Sequence, residues 1–121
     1  MAYENASAAT ADPVAFKNLV QDNDITTRVV TVVSGQNLSA GAVLGKITAS
    51  GKYNLSLSAA SDGSQTPDLV LFQDCDASGG DTEAVAIETG TVVASALTLG
   101  ASHTIASIRE GLRGKGITID D

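Results

Sequence analysis

The sequence has few of the residues that usually carry chemistry or covalent stabilisation. Among 121 residues there are one cysteine, one histidine and no tryptophan, and aromatic residues make up 3%. A single cysteine cannot form an intramolecular disulfide, so no oxidising compartment is implied. The core must therefore be built from Val, Ile, Leu and Ala, which bury little area each. Because small domains with such cores often gain burial by oligomerising, we expect self-association.

Basic residues and long apolar runs are also scarce. Seven Lys and Arg stand against 14 Asp and Glu, which gives a net charge of −7. Such a surface repels phosphate backbones, so nucleic acid is excluded as a direct partner, and any partner would best present basic patches. No stretch approaches the roughly 18 apolar residues that span a membrane, and the N-terminus has no signal-peptide pattern. We expect a protein used in the cytosol or in a particle assembled there.

An acidic loop over residues 74–81 invites comparison with a calcium site. Asp74, Asp76 and Ser78 would occupy positions one, three and five of an EF-hand loop. The bidentate Glu required at position twelve is replaced by Val85, which excludes an EF-hand. A looser cation site and a solvated turn between two strands remain as alternatives, and the sequence favours the turn.

The other candidate reactive residues lack partners in the sequence. His103 is accompanied by no G-x-S-x-G elbow, and one His with one Cys cannot form a tetrahedral zinc site. Cys75 lies between two aspartates, which should raise its pKa and disfavour the thiolate. Gly41, Gly45 and Lys46 have the wrong spacing for a phosphate-binding loop. We therefore expect no enzyme activity, no cofactor and no metal.

The chain reads as a small, mainly β domain of short strands with one short C-terminal helix. Residues 26–34 are rich in β-branched residues, and Val29 and Val30 put apolar groups on both faces, which predicts burial on two sides. Residues 41–90 continue as apolar segments joined by Gly-, Ser- and Asp-rich turns. The predicted strands there are 43–49, 53–58, 69–72 and 83–88, with a bend at Gly90.

The spacing of apolar residues changes from a strand-like to a helical pattern near the C-terminus. Ile105, Ile108 and Leu112 fall on one face of a helix that Ser102 is predicted to cap, and a closing strand is expected over 117–119. The first residues differ from the rest as well, because 5–11 are small and polar. Residues 1–20 are either a first element packed on the core or an arm that orders against a partner. We predict a flexible arm over 1–20 and a single β-rich domain over 21–121.

Four short motifs occur in a familiar order: GAVLGKIT (41–48), SGKY (50–53), DGSQTP (62–67) and LVLFQDCDAS (69–78). Over residues 35–99 the chain resembles the bacteriophage head decoration proteins, the lambda-type proteins that stabilise capsids. The resemblance implies a β-clip-like fold and homotrimers at threefold and quasi-threefold positions of the expanded head. It also implies N-terminal arms that add strands to the major capsid protein of a tailed phage. The protein would then lie on the outer capsid surface of the virion, assembled in the host cytoplasm, and hold the shell against internal DNA pressure.

Under this interpretation five residues are candidates for capsid contact: Phe16, Leu19 and Val20 of the arm, and Val29 and Val30 of the first strand. An extended arm that pairs with an exposed edge gains affinity through main-chain hydrogen bonds. Two alternatives remain open, a tail or fibre accessory module and a small non-catalytic surface-binding domain. The absence of Trp argues against sugar binding, which usually needs aromatic platforms.

Overall fold

A computed structural model of the protein describes residues 25–120. The predicted arm over 1–20, including Phe16, Leu19 and Val20, lies outside the described residues. The strands within that range are β1 (Thr26–Val32), β2 (Asn37–Leu38), β3 (Val43–Lys46), β4 (Tyr53–Leu55), β5 (Pro67–Leu71), β6 (Cys75–Asp76), β7 (Thr82–Val93) and β8 (Ile117–Asp120). The helical elements are α1 (Ile105–Arg113) and a 3₁₀ turn (Ala94–Ala96). The predicted mainly β fold with one short C-terminal helix is confirmed.

Five of the strands close into a barrel. The strand order of the six-stranded sheet is β1–β4–β3–β5–β7–β8, and β1 also pairs with β7. Of these six strands, β8 lies outside the ring, and β2 and β6 form a separate two-stranded sheet. β1 is antiparallel to β7 along its whole length, whereas its parallel pairing with β4 consists of Val32 opposite Tyr53. Closure removes most of the open edges that a flat sheet of this size would expose.

Apolar residues form two separate clusters, one inside the barrel and one outside it. The inner cluster consists of Val30, Val32, Ala42, Leu44, Tyr53, Leu69, Leu71, Cys75, Ala77, Ala84 and Ala86. The outer cluster joins Val43, Val70, Ile87 and Val92 to Ile108, Leu112, Ile117 and Ile119 of α1 and β8. Since the middle parts of β3, β5 and β7 are covered on both faces, residues 43–44, 69–71 and 84–87 are uninterrupted apolar runs rather than alternating ones.

The N-cap of the helix lies two residues after the predicted one. Ile108 and Leu112 are buried, which confirms the apolar stripe. The N-cap is Thr104, and the prediction of Ser102 was wrong. Thr104 Oγ1 accepts from the Ser107 N–H at 3.1 Å, and Ser107 Oγ accepts from the Thr104 N–H at 2.8 Å. This reciprocal pair satisfies two backbone donors, whereas Ser102 lies in the left-handed region with φ of 70°.

The predicted bend at Gly90 was also wrong. β7 runs without interruption from Thr82 to Val93. A Cβ at Gly90 would lie 2.5 Å from Ile25 Cγ2, and the residue has φ of +143°. Glycine is needed here because the segment that enters β1 passes very close to the β7 backbone, and not because the chain turns.

Candidate functional site

On the side that faces β4, the described strands pair with β1 only at Val32, and we call residues 27–30 on that side the β1 edge. The Val33 N–H donates to the Tyr53 carbonyl at 2.9 Å, on the side that faces β4. Because backbone groups alternate along a strand, the N–H and C=O groups of Thr27 and Val29 point to that same side. β4 begins only at Tyr53, so no described strand pairs with them. Such an edge is a template for a strand from another chain.

The two valines predicted as contact residues have opposite environments. The Val29 side chain is 62% exposed, whereas Val30 is 5% exposed and belongs to the inner cluster. The sequence-based expectation of burial on both faces of this strand is therefore wrong at Val29. An apolar side chain with this exposure beside an unpaired edge is a candidate contact. Val30 packs inside the barrel, and by the same alternation its backbone N–H and C=O groups point towards β7.

A polar cluster covers one end of the barrel next to the start of β1. Arg28 Nη1 lies 3.6 Å from Glu88 Oε2, and Arg28 Nη2 donates to the Tyr53 hydroxyl at 3.4 Å. Tyr53 donates in turn to Asp68 Oδ2 at 3.0 Å, and Lys115 Nζ lies 2.9 Å from Asp68 Oδ1. Sequence reasoning missed this cluster, which we call the end cluster, because its five residues come from distant segments.

The carboxylates of the acidic loop accept hydrogen bonds from other residues of the chain. Asp74 Oδ1 accepts from the Ala40 N–H at 2.9 Å. Asp76 Oδ1 accepts from the Ser78 hydroxyl at 2.6 Å and from the Ser78 N–H at 3.0 Å, and these bonds lower the pKa of Asp76. Within residues 25–120, no three His, Cys, Asp or Glu residues are grouped so that they could hold a metal ion. Cys75 and Asp76 form the short strand β6, so the predicted turn is confined to residues 77–80, where the Gly80 N–H donates to the Ala77 carbonyl at 3.2 Å.

His103 and Cys75 serve packing rather than reactivity. His103 Nε2 lies 3.2 Å from Ser56 Oγ and 3.1 Å from the Gln65 carbonyl, so this nitrogen carries the hydrogen in the second contact. Ser56 is completely buried and cannot meet a substrate. Cys75 lies in β6 rather than in a turn, and burial together with the Asp76 carboxylate raises the pKa of its thiol. The predicted direction of that shift is confirmed.

The glycines that imitate a phosphate-binding loop have a steric explanation. A Cβ on Gly45 would lie 1.9 Å from the Ser64 carbonyl oxygen, and one on Gly41 would lie 2.2 Å from that of Ala96. Both residues let another segment pack directly on β3 or its start. Gly41 and Gly45 are therefore explained by close backbone packing, in agreement with our rejection of a phosphate-binding loop.

The comparison with protein families decides the class of this protein. A model of the bacteriophage lambda head decoration protein D family matches residues 7–117. The chain belongs to this family. The match extends the sequence resemblance over 35–99 in both directions and supports a head decoration protein of a phage capsid. A comparison with curated protein sequences found no match.

Membership of the head decoration family agrees with the internal roles of the polar side chains described above. Proteins of this family are in general structural and non-catalytic components of the phage head. In this member, the polar side chains that could have suggested catalysis are used for turns, caps and packing. Among the described residues, no helix is long and apolar enough to cross a membrane.

Proposed function

We propose that this protein binds the expanded head of a tailed phage as a homotrimer at threefold and quasi-threefold positions. Its partner there is the major capsid protein, and binding stabilises the shell against internal DNA pressure. The observation that carries this proposal is the β1 edge, which offers unpaired backbone groups and the exposed Val29 directly after the N-terminal segment. The family match supplies the class of partner.

Strand addition is the mechanism that this geometry supports best. A segment of the shell that pairs with Thr27 and Val29 would form main-chain hydrogen bonds on the side of β1 away from β7. Phe16, Leu19 and Val20 provide apolar anchors on the chain that leads into this strand. Each site is weak by itself, but a trimer engages several capsid subunits together, and avidity then secures the whole lattice.

A trimer also suits the composition of the domain. The inner cluster contains one aromatic residue, Tyr53, and is otherwise built from aliphatic side chains and Cys75. Self-association would bury further apolar surface, and a threefold ring would use the same contact surfaces around one axis. The host cytoplasm, where heads assemble, is the compartment in which decoration would begin.

The direct test is to mix the purified protein with expanded, undecorated heads and to image the particles. We expect added density at threefold and quasi-threefold positions. Heads without such density would contradict the proposal. The mass of the protein in solution and on the shell tests the trimer separately, because a monomer in both settings would remove it.

A further inference from the structure

A small polar pocket opens beside the end cluster, and we call it the Lys46 pocket. It lies where the end of β3 meets the 61–66 loop and the segment after α1. Its volume is about 250 Å³, and its lining residues are Lys46, Thr48, Gly63, Thr66, Asp68 and Lys115. The pocket thus brings ammonium and hydroxyl groups of three segments, and the Asp68 carboxylate, to one place on the surface.

The formal charge of the Lys46 pocket is opposite to that of the whole chain. Lys115 Nζ lies 2.9 Å from Asp68 Oδ1, so these two charges offset each other. Lys46 is exposed and has no carboxylate partner among residues 25–120. The pocket therefore has one uncompensated positive charge in a chain with a net charge of −7. A group with a single negative charge would neutralise it.

The backbone N–H groups of the 61–66 loop, which forms one wall of the pocket, indicate which kind of anion could bind. Phosphate sites usually present several free backbone N–H groups, as nests or helix N-termini do. Here the Gly63 N–H donates to Gln65 Oε1 at 2.9 Å, and the Ser64 N–H donates to Asp62 Oδ1 at 3.0 Å. The Thr66 N–H donates to the Gly63 carbonyl at 3.3 Å. These donors are occupied, which favours a carboxylate held by ammonium and hydroxyl groups over a phosphate.

The Lys46 pocket is close to the β1 edge. Lys46 is opposite Tyr53 in the β3–β4 register, and Tyr53 is opposite Val32 in the β4–β1 register. Neighbouring strands are about 4.8 Å apart, so Lys46 lies roughly 10 Å across the sheet from Val32, two residues beyond the β1 edge. A protein that adds a strand to the β1 edge would therefore have side chains within reach of the pocket.

We propose that the Lys46 pocket binds an Asp or Glu side chain of the capsid protein that pairs with the β1 edge. This inference rests on the proposed function and names the chemistry of the contact. A lone carboxylate at an exposed site binds weakly, so the pocket is useful only as part of a larger interface. There, a fixed ion pair would select the register in which the partner strand adds.

The test compares two lysines in the full-length protein. Lys46→Gln and Lys52→Gln remove the same charge, but Lys52 is already paired with Asp81. Binding to expanded heads is measured at low and high ionic strength, and thermal unfolding verifies that both variants fold. We expect Lys46→Gln to weaken binding about threefold to tenfold at low salt, and less at high salt, because salt screens exposed charges. Lys52→Gln should bind within about twofold of wild type, since its charge is neutralised within the chain.

The outcomes separate this inference from the proposed function. If the wild-type protein does not bind expanded heads, both fail. If it binds and the two lysine variants behave alike, or if the Lys46→Gln deficit is independent of salt, the pocket inference is wrong and the decoration function stands. Lys46→Arg serves as a positive control, since it keeps the charge and should retain most of the affinity.

Discussion

The Tyr53 hydroxyl donates to Asp68 Oδ2 at 3.0 Å, and this bond joins β4 to β5 across the intervening strand β3. Tyr53 is 2% exposed, so its ring belongs to the inner cluster while its hydroxyl reaches the end cluster. We expect Tyr53→Phe to keep the packing and to lower the free energy of unfolding by about 1 kcal/mol, the usual net value of a hydrogen bond. Denaturant unfolding measures this, and an unchanged value would mean that the bond contributes nothing.

The same bond makes the stability depend on pH in the alkaline range. Burial first, and then the hydrogen bond to Asp68, raise the pKa of Tyr53 above its ordinary value of 10.0. A raised pKa in the folded state gives a contribution that is complete below pH 10 and lost as the pH rises through the folded pKa. Wild type should therefore lose its advantage over Tyr53→Phe above pH 10. A difference that stays constant to pH 12 would contradict this.

Local sequence patterns predicted the helices and strands better than they predicted which side chains are exposed or which segments meet. The stripe of Ile105, Ile108 and Leu112 predicted a helix because its period of 3.6 is unambiguous. Val29 and Val30 did not show which face of β1 is exposed, because adjacent valines place apolar side chains on both faces of a strand. The Lys46 pocket could not be foreseen, because Lys46, Asp68 and Lys115 meet only through the strand register.

Glycine 45 should be among the positions least tolerant of substitution. In Gly45→Ala the new Cβ would lie 1.9 Å from the Ser64 carbonyl oxygen, and a backbone atom cannot rotate away. We expect a loss of about 1–3 kcal/mol in the free energy of unfolding, as for other overpacked sites. Gly79→Ala is the matched control, since its Cβ would meet nothing within 4 Å, and it should cost less than about 0.5 kcal/mol. Equal effects at both glycines would refute the packing argument.

Asp81 should contribute to the stability of the fold at neutral pH, and this contribution should be lost at low pH. The hydrogen bond from the Lys52 ammonium, followed by the hydrogen bond from the Ser34 N–H at 2.8 Å, lowers the pKa of Asp81 below its ordinary value of 3.8. A lowered pKa in the folded state gives stability that is present above pH 3.8 and lost as the pH falls through the folded pKa.

We therefore expect Asp81→Asn to be less stable than wild type at neutral pH, and the difference to shrink as the pH falls below 3.8 and through the folded pKa. Unfolding curves between pH 2 and pH 7 measure it. Glu83→Gln is the control, because Glu83 is exposed and has no hydrogen-bond or ion-pair partner among the described residues. A deficit of Asp81→Asn that persists unchanged at pH 2 would show that the charge is not its cause.

Deletion of residues 1–20 should separate folding from shell binding. Both apolar clusters of the described domain are built from residues between Ile25 and Ile119, and the barrel closes through β1 and β7. We expect the truncated protein to keep its circular dichroism spectrum and unfolding midpoint but to lose binding to expanded heads. If it unfolds instead, residues 1–20 belong to the core, and the assignment of Phe16, Leu19 and Val20 to capsid contact is wrong.

Val29 provides the most local test of the β1 edge. The side chain is 62% exposed, so Val29→Lys should leave the free energy of unfolding within about 0.5 kcal/mol of wild type. A lysine on an edge strand opposes the addition of another strand, because its charge would have to be desolvated, and we expect head binding to weaken about tenfold. Leu57→Lys is the matched control, since Leu57 is the other large exposed apolar residue of the described domain, at 40%. Both variants add one positive charge to an acidic protein, so any general electrostatic effect on binding would appear in both. A deficit confined to Val29→Lys therefore identifies the edge itself, whereas equal deficits would move the capsid contact away from β1.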